Sequence, residues 1–123
     1  MCLELIGGYS AKSNRTEAWK VVKRVGDNFF APYRENKIPL GLYESDRTST
    51  DINIAECDNG YIHKGIHVFT KFERAKNLAF SKNCWANHGP YKVIRCEVDP
   101  KDHVADGCGS EAVYTKVKIK ECV

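Results

Sequence analysis

The sequence predicts an α+β fold: a mostly antiparallel β-sheet packed against one central α-helix, in a single domain over residues 1–123. Three observations lead there. Apolar residues alternate with period two in several short runs, the signature of half-buried strands. Spacing with a period of 3.6 occurs once, in the middle of the chain. Strands and helices do not alternate in the rhythm that repeating βαβ units would impose. A chain of 123 residues, 42% hydrophobic and 28% charged, has the length and composition of one globular core.

The first strand is expected at "WKVVKRV", residues 19–25. Trp19, Val21 and Val25 fall on one face with Lys23, and Lys20, Val22 and Arg24 fall on the other. "GDN" follows as a turn. "FFAPYREN" (29–36) starts extended, because a residue before proline is pushed out of the helical region. "KIPLGLY" (37–43) reads as a short irregular or edge segment, since Pro39 cannot serve a central ladder. Residues 44–62 are polar and weakly patterned, the longest loop-like region.

"KGIHVFTKFERAKNLAF" (64–80) switches period within one stretch. Ile66 and Val68 share one face of a strand, His67 and Phe69 the other. Thr70 and Glu73 then form a T-x-x-E capping box at a helix start. Phe72, Ala75, Leu78 and Ala79 make its apolar stripe, and Lys71, Arg74 and Lys76 face out, which predicts a helix over about 71–82. "NHGP" breaks the chain. "YKVIRCEV" (91–98) is the best strand pattern, with Ile94, Cys96 and Val98 on one face and Tyr91, Val93, Arg95 and Glu97 on the other. "DPKDHVADGCGS" reads as an acidic loop. "AVYTKVKIKECV" reads as one terminal strand with Val113, Thr115, Val117 and Ile119 inward and Tyr114, Lys116, Lys118 and Lys120 on its other side. Alternating lysines are what an exposed edge uses to refuse a partner strand.

Net charge is +3, unevenly spread. Residues 61–95 hold seven Lys/Arg against Glu73 alone, while 96–115 hold five acids against Lys101 and 46–60 hold four acids against Arg47. Such blocks are either solvated faces or surfaces that meet an ion of opposite sign. The overall charge is low for a duplex-binding domain, so no double-stranded nucleic acid is expected. No apolar run approaches the ~18 residues of a membrane span, and "MCLELIGGYS" lacks the basic start of a signal peptide. Neither a membrane partner nor a leader is expected. The six cysteines (Cys2, Cys57, Cys84, Cys96, Cys108, Cys122) are therefore expected as free thiols in a cytoplasm.

Chemistry-bearing motifs are sparse. Cys84 with His88, and Cys57 with His63 and His67, lack the paired Cys-x2-Cys signature of zinc, so no metal and no cofactor are expected. No local motif marks an activated cysteine, no carboxylate pair is patterned for acid–base work, and "GCGS" (107–110) leads into a strand rather than a helix. Phe69 and His67 line either a second core layer or a pocket wall. Tyr33 follows Pro32 in a constrained loop, Arg74 lies one turn past the helix start, and Arg95 lies mid-strand beside Tyr91 and Val93. Aromatic rings, arginines and a helix N-terminus together suit a nucleotide-sized anion. The candidate ligand-binding residues are thus Tyr33, His67, Phe69, Arg74 and Arg95, with arginine on phosphate or ribose, Phe69 and Tyr33 stacking on a base, and His67 donating a hydrogen bond.

The string "WKVVKR…FFAPY…LGLY…KGIHVFTKFERAKNLA…YKVIRCEVDP…AVYTKVKIKEC" resembles small proteins carried by phages and mobile elements. Those share Y/W-K-V near the start, S/A-P-Y, a central G-F/I-H-x-F leading into a helix, K-C-x-V-P and a closing K-I-K strand. Gly65, His67 and Phe69 match the central corner, and the likeness covers most of residues 18–123. It implies a shared fold. By analogy with the Thoeris and CBASS anti-defence sponges, it also implies a binding protein in the cytoplasm of a bacterial host. Such a protein would sequester a cyclic or ADP-ribose-type nucleotide signal without cleaving it, and homodimerisation is left open. A protein-binding inhibitor of a host immune effector is the first alternative. A small ADP-ribosyltransferase-like enzyme, for which no catalytic triad is legible, is the second.

Overall fold

Nine residues, Glu17–Val25, form the longest strand, and the sheet is laid out around it. The structure is a computed structural model that describes residues 3–4, 14–31, 37–51, 55, 61–62, 64–83, 89–107 and 110–122. Tyr33, Cys2, Cys57, Cys84, Cys108, His63 and His88 lie outside the described residues. In chain order the strands are β1 (Leu3–Glu4), β2 (Glu17–Val25), β3 (Asn28–Phe30), β4 (Lys37–Ile38), β5 (Gly41–Glu44), β6 (Tyr61–Ile62), β7 (Ile66–Phe69), β8 (Tyr91–Glu97), β9 (His103–Asp106), β10 (Glu111–Tyr114) and β11 (Lys116–Cys122). An α-helix, α1 (Phe72–Lys82), falls between β7 and β8.

The main sheet runs β5-β11-β8-β2-β7-β10-β9, with the β3–β4 hairpin attached to β2, and β1 pairs with β6 apart from it. Every recorded pairing is antiparallel. The fold is α+β, a nine-stranded antiparallel sheet packed against α1 with the two-stranded β1–β6 sheet apart from it, as the periodicities predict.

The two faces of the sheet are used differently. On one, Val21, Phe69 and Val93 meet Ala75 and Ala79 of α1, with Trp19, Phe72, Leu78 and Tyr91 around them. The small alanines let the helix approach the sheet closely, and Phe72 meets Trp19 edge to face at 6.1 Å. On the other face Ala18, Val22, Ile66, Val68, Ile94, Cys96, Ala112, Tyr114, Val117 and Ile119 form the larger core, closed by Ile38 of β4 and Phe29 of β3. Cys96 is a buried free thiol, whose pKa is pushed up to about 12 by burial.

Four expectations are corrected. The helix starts at Phe72, inside the predicted range, but its N-cap is Lys71 and no side chain caps it. Thr70 is held elsewhere: its N–H and hydroxyl both donate to the Ser110 carbonyl, at 2.7 and 3.1 Å. The capping box is absent because β10 claims the threonine first.

The terminal strand is two strands. Thr115 interrupts it, donating its N–H to Asp102 and accepting from Ser45, so the chain leaves β7 and β9 and crosses to β8 and β5. The interruption changes phase. Val113 packs with Ile62, Val104 and Ala105, whereas Tyr114, expected outward, is fully buried with Val117 and Ile119 on the other face.

The lysines of β11 guard no edge, because β11 pairs on both sides, with β5 and with β8. They stand on a polar stretch of an interior strand, where Lys120 reaches Glu97 at 3.2 Å. The acidic loop contains a one-turn 3-10 helix, Pro100–Asp102, and then β9, three of whose four residues are buried.

Candidate functional site

A groove of about 230 Å³ runs along one side of α1, between the helix and the start of β8. At about 100° per residue, Phe72, Lys76, Ala79, Phe80 and Asn83 share an arc of about 100° on the helix. They form the helical wall, and Tyr91, Lys92 and Val93 form the strand wall. Among the described residues no acid lines it. A third ammonium, that of Lys82, stands over the Tyr91 ring at 5.3 Å from its centre.

The closed end of this groove is built rigidly. Asn83 is buried, and its side chain both accepts from the Tyr91 N–H and donates to the Tyr91 carbonyl, at 3.0 Å each. That pair of bonds fixes β8 to the C-terminal end of α1. Gly89 packs so tightly on Asn83 that a Cβ at residue 89 would collide with its side chain. The chain break at "NHGP" thus has a structural purpose, since only glycine permits this approach.

The sequence-predicted residues divide around the groove. Arg95 lies two residues past Val93 on the same strand face, at the Phe72 end, opposite Trp19 in register. It pairs with Glu17 at 3.6 Å, and both side chains keep solvent exposure. Arg74 projects from the far side of α1, about 200° from Phe72, where its charge is felt by Glu111; burial nevertheless raises the Glu111 pKa. Phe69 is 7% exposed, its ring enclosed by Val21, Val93, Ala75 and Ala79, so stacking on it requires α1 to lift. His67 is 8% exposed, and its Nε2 lies 3.0 Å from the Ile62 carbonyl. Burial brings its pKa down to about 4, the Ile62 bond opposing and the Lys20 charge assisting, so the ring is neutral at pH 7. It donates to that carbonyl and not into the groove. Tyr33 lies outside the described residues.

In the sequence the groove residues were divided between the apolar stripe of the helix (Phe72, Ala79), its outward side (Lys76) and the first residues of a strand. Lys76, Phe80 and Lys92 carry no motif. What could have found them is the pairing of a basic helix flank with Tyr91 immediately after the break.

A second polar cluster was not legible at all. The Arg15 guanidinium donates to both carboxylate oxygens of Asp106 and to the Tyr114 hydroxyl, each at 3.0 Å. The buried His103 ring lies 2.8 Å from Asp106 and edge-on to Tyr114. Burial alone would push the Asp106 carboxyl up, but the bonds from His103 and Arg15 outweigh it and hold the carboxyl well below the usual range. The guanidinium pKa is raised, burial opposing and the bonds to Asp106 and Tyr114 prevailing. These bonds tie the segment before β2 to the β9–β10 edge.

Among the described residues there is no group of three or more His, Cys, Asp or Glu side chains that could hold a metal ion, and no helix long and apolar enough to cross a membrane. Comparison of the chain with family models, curated proteins and solved structures finds no match.

Proposed function

We propose that the protein binds a small phosphate-bearing nucleotide in the groove between α1 and β8 and releases it chemically unchanged. The observation that carries this reading is a groove with Lys76 and Lys92 in its walls, Lys82 above its tyrosine, and no acid among the described residues that line it. Lysines take phosphate oxygens, and Tyr91 and Phe80 offer rings to a base or ribose. Arg95 stands at the open end to receive a second phosphate. The phage-type motifs supply the setting: sequestration of a cyclic or ADP-ribose-type signal in a bacterial host. Binding without turnover suits a groove that offers cations and rings, with no general base or nucleophile among the described residues that line it.

A second reading, binding to a host protein, is favoured by one observation. The edge strand β5 carries Leu42 at 57% exposure, next to Leu40 at 66%, and an extended segment of a partner could add to that edge.

Calorimetry with a panel of cyclic and ADP-ribose-type nucleotides tests the main reading. Saturable binding to one member is expected, weakened about 10- to 100-fold by Lys76→Ala or Arg95→Ala, the worth of one charged hydrogen bond. Lys118→Ala, an exposed residue of β11, should leave it unchanged. No binding to any member would transfer the case to the protein-binding reading, and conversion of the ligand during titration would favour an enzyme.

A further inference from the structure

Lys20 is a cation for which the sheet provides no counter-charge. Alternation along β2 sets it between Ala18 and Val22, on the face away from α1, with Ile94 opposite and Cys96 diagonal to it. Its ammonium has three donors. One goes to the His67 carbonyl at 2.9 Å. Among the described residues no carboxylate comes within ion-pairing distance of it, and no other hydrogen bond reaches it.

The backbone explains why this lysine sits where it does. Thr70 and Ser110 are bonded across β7 and β10, which fixes the phase: even-numbered residues of β7 turn their polar groups to β10 and odd-numbered ones to β2. The His67 carbonyl therefore points at β2. Yet Trp19↔Phe69 is the one pairing recorded between these strands. β3 joins the same edge of β2 only at Lys23–Val25. Between the two, along Lys20–Val22, the edge has no neighbouring strand among the described residues. The sheet opens into a seam, and the Lys20 ammonium spans it.

A partly buried ammonium with two uncommitted donors is unfavourable in an apolar surround unless something negative visits it. The groups nearest it cannot supply that charge. The Cys96 thiol is protonated at pH 7, and His67 is a neutral ring. The seam's net charge is that of Lys20.

We propose that the seam between β2 and β7 is an oxyanion site, in which the Lys20 ammonium, held by the His67 carbonyl, receives a carboxylate or phosphate oxygen of a small ligand. The site is independent of the groove beside α1, being on the opposite face of the sheet. Burial lowers the Lys20 pKa to about 8, against an opposing influence from Cys96. An arriving oxyanion restores the favourable partner that folding removed, and raises that pKa again.

The test is NMR of the protein with isotope-labelled lysine side chains, in a Lys76→Ala/Lys92→Ala background that disables the groove. The Lys20 amine is titrated in sodium chloride, sodium acetate and sodium phosphate at matched ionic strength. An oxyanion should raise its pKa by about one unit or more, saturably, while chloride does not. Response to phosphate alone identifies a phosphate ligand, response to acetate alone a carboxylate, and either supports the site. Lys20→Met should bind the effective anion at least about tenfold more weakly. The proposal is overturned if neither anion moves the titration, if chloride moves it equally, or if Lys20 titrates at a lysine's ordinary value without any anion.

Discussion

Replacing Lys20 with methionine should stabilise the protein at neutral pH, and the gain should disappear in alkali. The amine titrates at about 8 in the folded chain against 10.5 for an ordinary lysine. Each unit is worth about 1.4 kcal/mol, so the folded state carries a penalty of up to ~3.4 kcal/mol for holding this ammonium. The sign follows from proton counting. Between pH 8 and 10.5 the unfolded chain binds more protons at this site than the folded one, so stability rises with pH across that window. Below pH 8 the full penalty applies, and above 10.5 it is gone. Methionine removes the penalty and fills the same stem volume, but leaves the His67 carbonyl without its donor, which costs about 1–3 kcal/mol. The net gain at pH 7 is therefore small, about 1 kcal/mol. The informative quantity is its change with pH. Urea titrations of both proteins from pH 7 to 10 should show the wild type recovering about 2–3 kcal/mol relative to Lys20→Met, since every other titrating group cancels in the difference. A difference that stays flat over that range would refute the reasoning, because it would mean that the ammonium is solvated in the folded protein.

Three further outcomes are expected. His67, depressed to about 4 by burial, should make stability fall as pH drops from about 6.5 to 4, by up to ~3 kcal/mol in all; the acid limb of a denaturation profile should flatten in His67→Gln. Gly65→Ala should destabilise by about 2 kcal/mol or more, because Gly65 has φ of +122° and a Cβ there would strike the Val113 side chain; thermal melting measures it. A double-mutant cycle on Arg15→Ala and Asp106→Ala should return a coupling of about 1–3 kcal/mol, larger than an exposed pair gives, because the bond is bidentate and tied to Tyr114 and His103; a coupling near zero would make the cluster a surface ornament.

The parts of the fold visible in the sequence are those with a period in residue type. β7 and β8 read as strands although they carry buried residues on both faces, and α1 shows its alanine stripe. β9 was hidden because Asp99, Asp102 and Asp106 around its short apolar pair, Val104 and Ala105, suggest a loop. The break at Thr115 was invisible for a different reason. An interruption of one residue shifts every later side chain to the other face, and nothing in "AVYTKVKIK" marks it. Lys20 was correctly set on one face with Val22, but the sequence could not say that this face is the closed one. Arg15 and Asp106 are 91 residues apart, and only the sheet order brings them together. Of the proposed site, Arg95 and the basic character of 61–95 were legible. The groove itself depends on Asn83 and Gly89 pinning β8 to the helix end, a contact without a local pattern.

The central claim is that the groove holds a phosphate-bearing nucleotide without altering it. The most direct measurement is mass spectrometry of small molecules released by heat from protein that has been exposed to bacterial lysate and repurified. The account predicts an intact nucleotide released in stoichiometric amount from the wild type and depleted about tenfold or more from Lys76→Ala/Lys92→Ala. Release of no phosphate-bearing molecule, of a cleaved product, or of equal amounts from both proteins would contradict it.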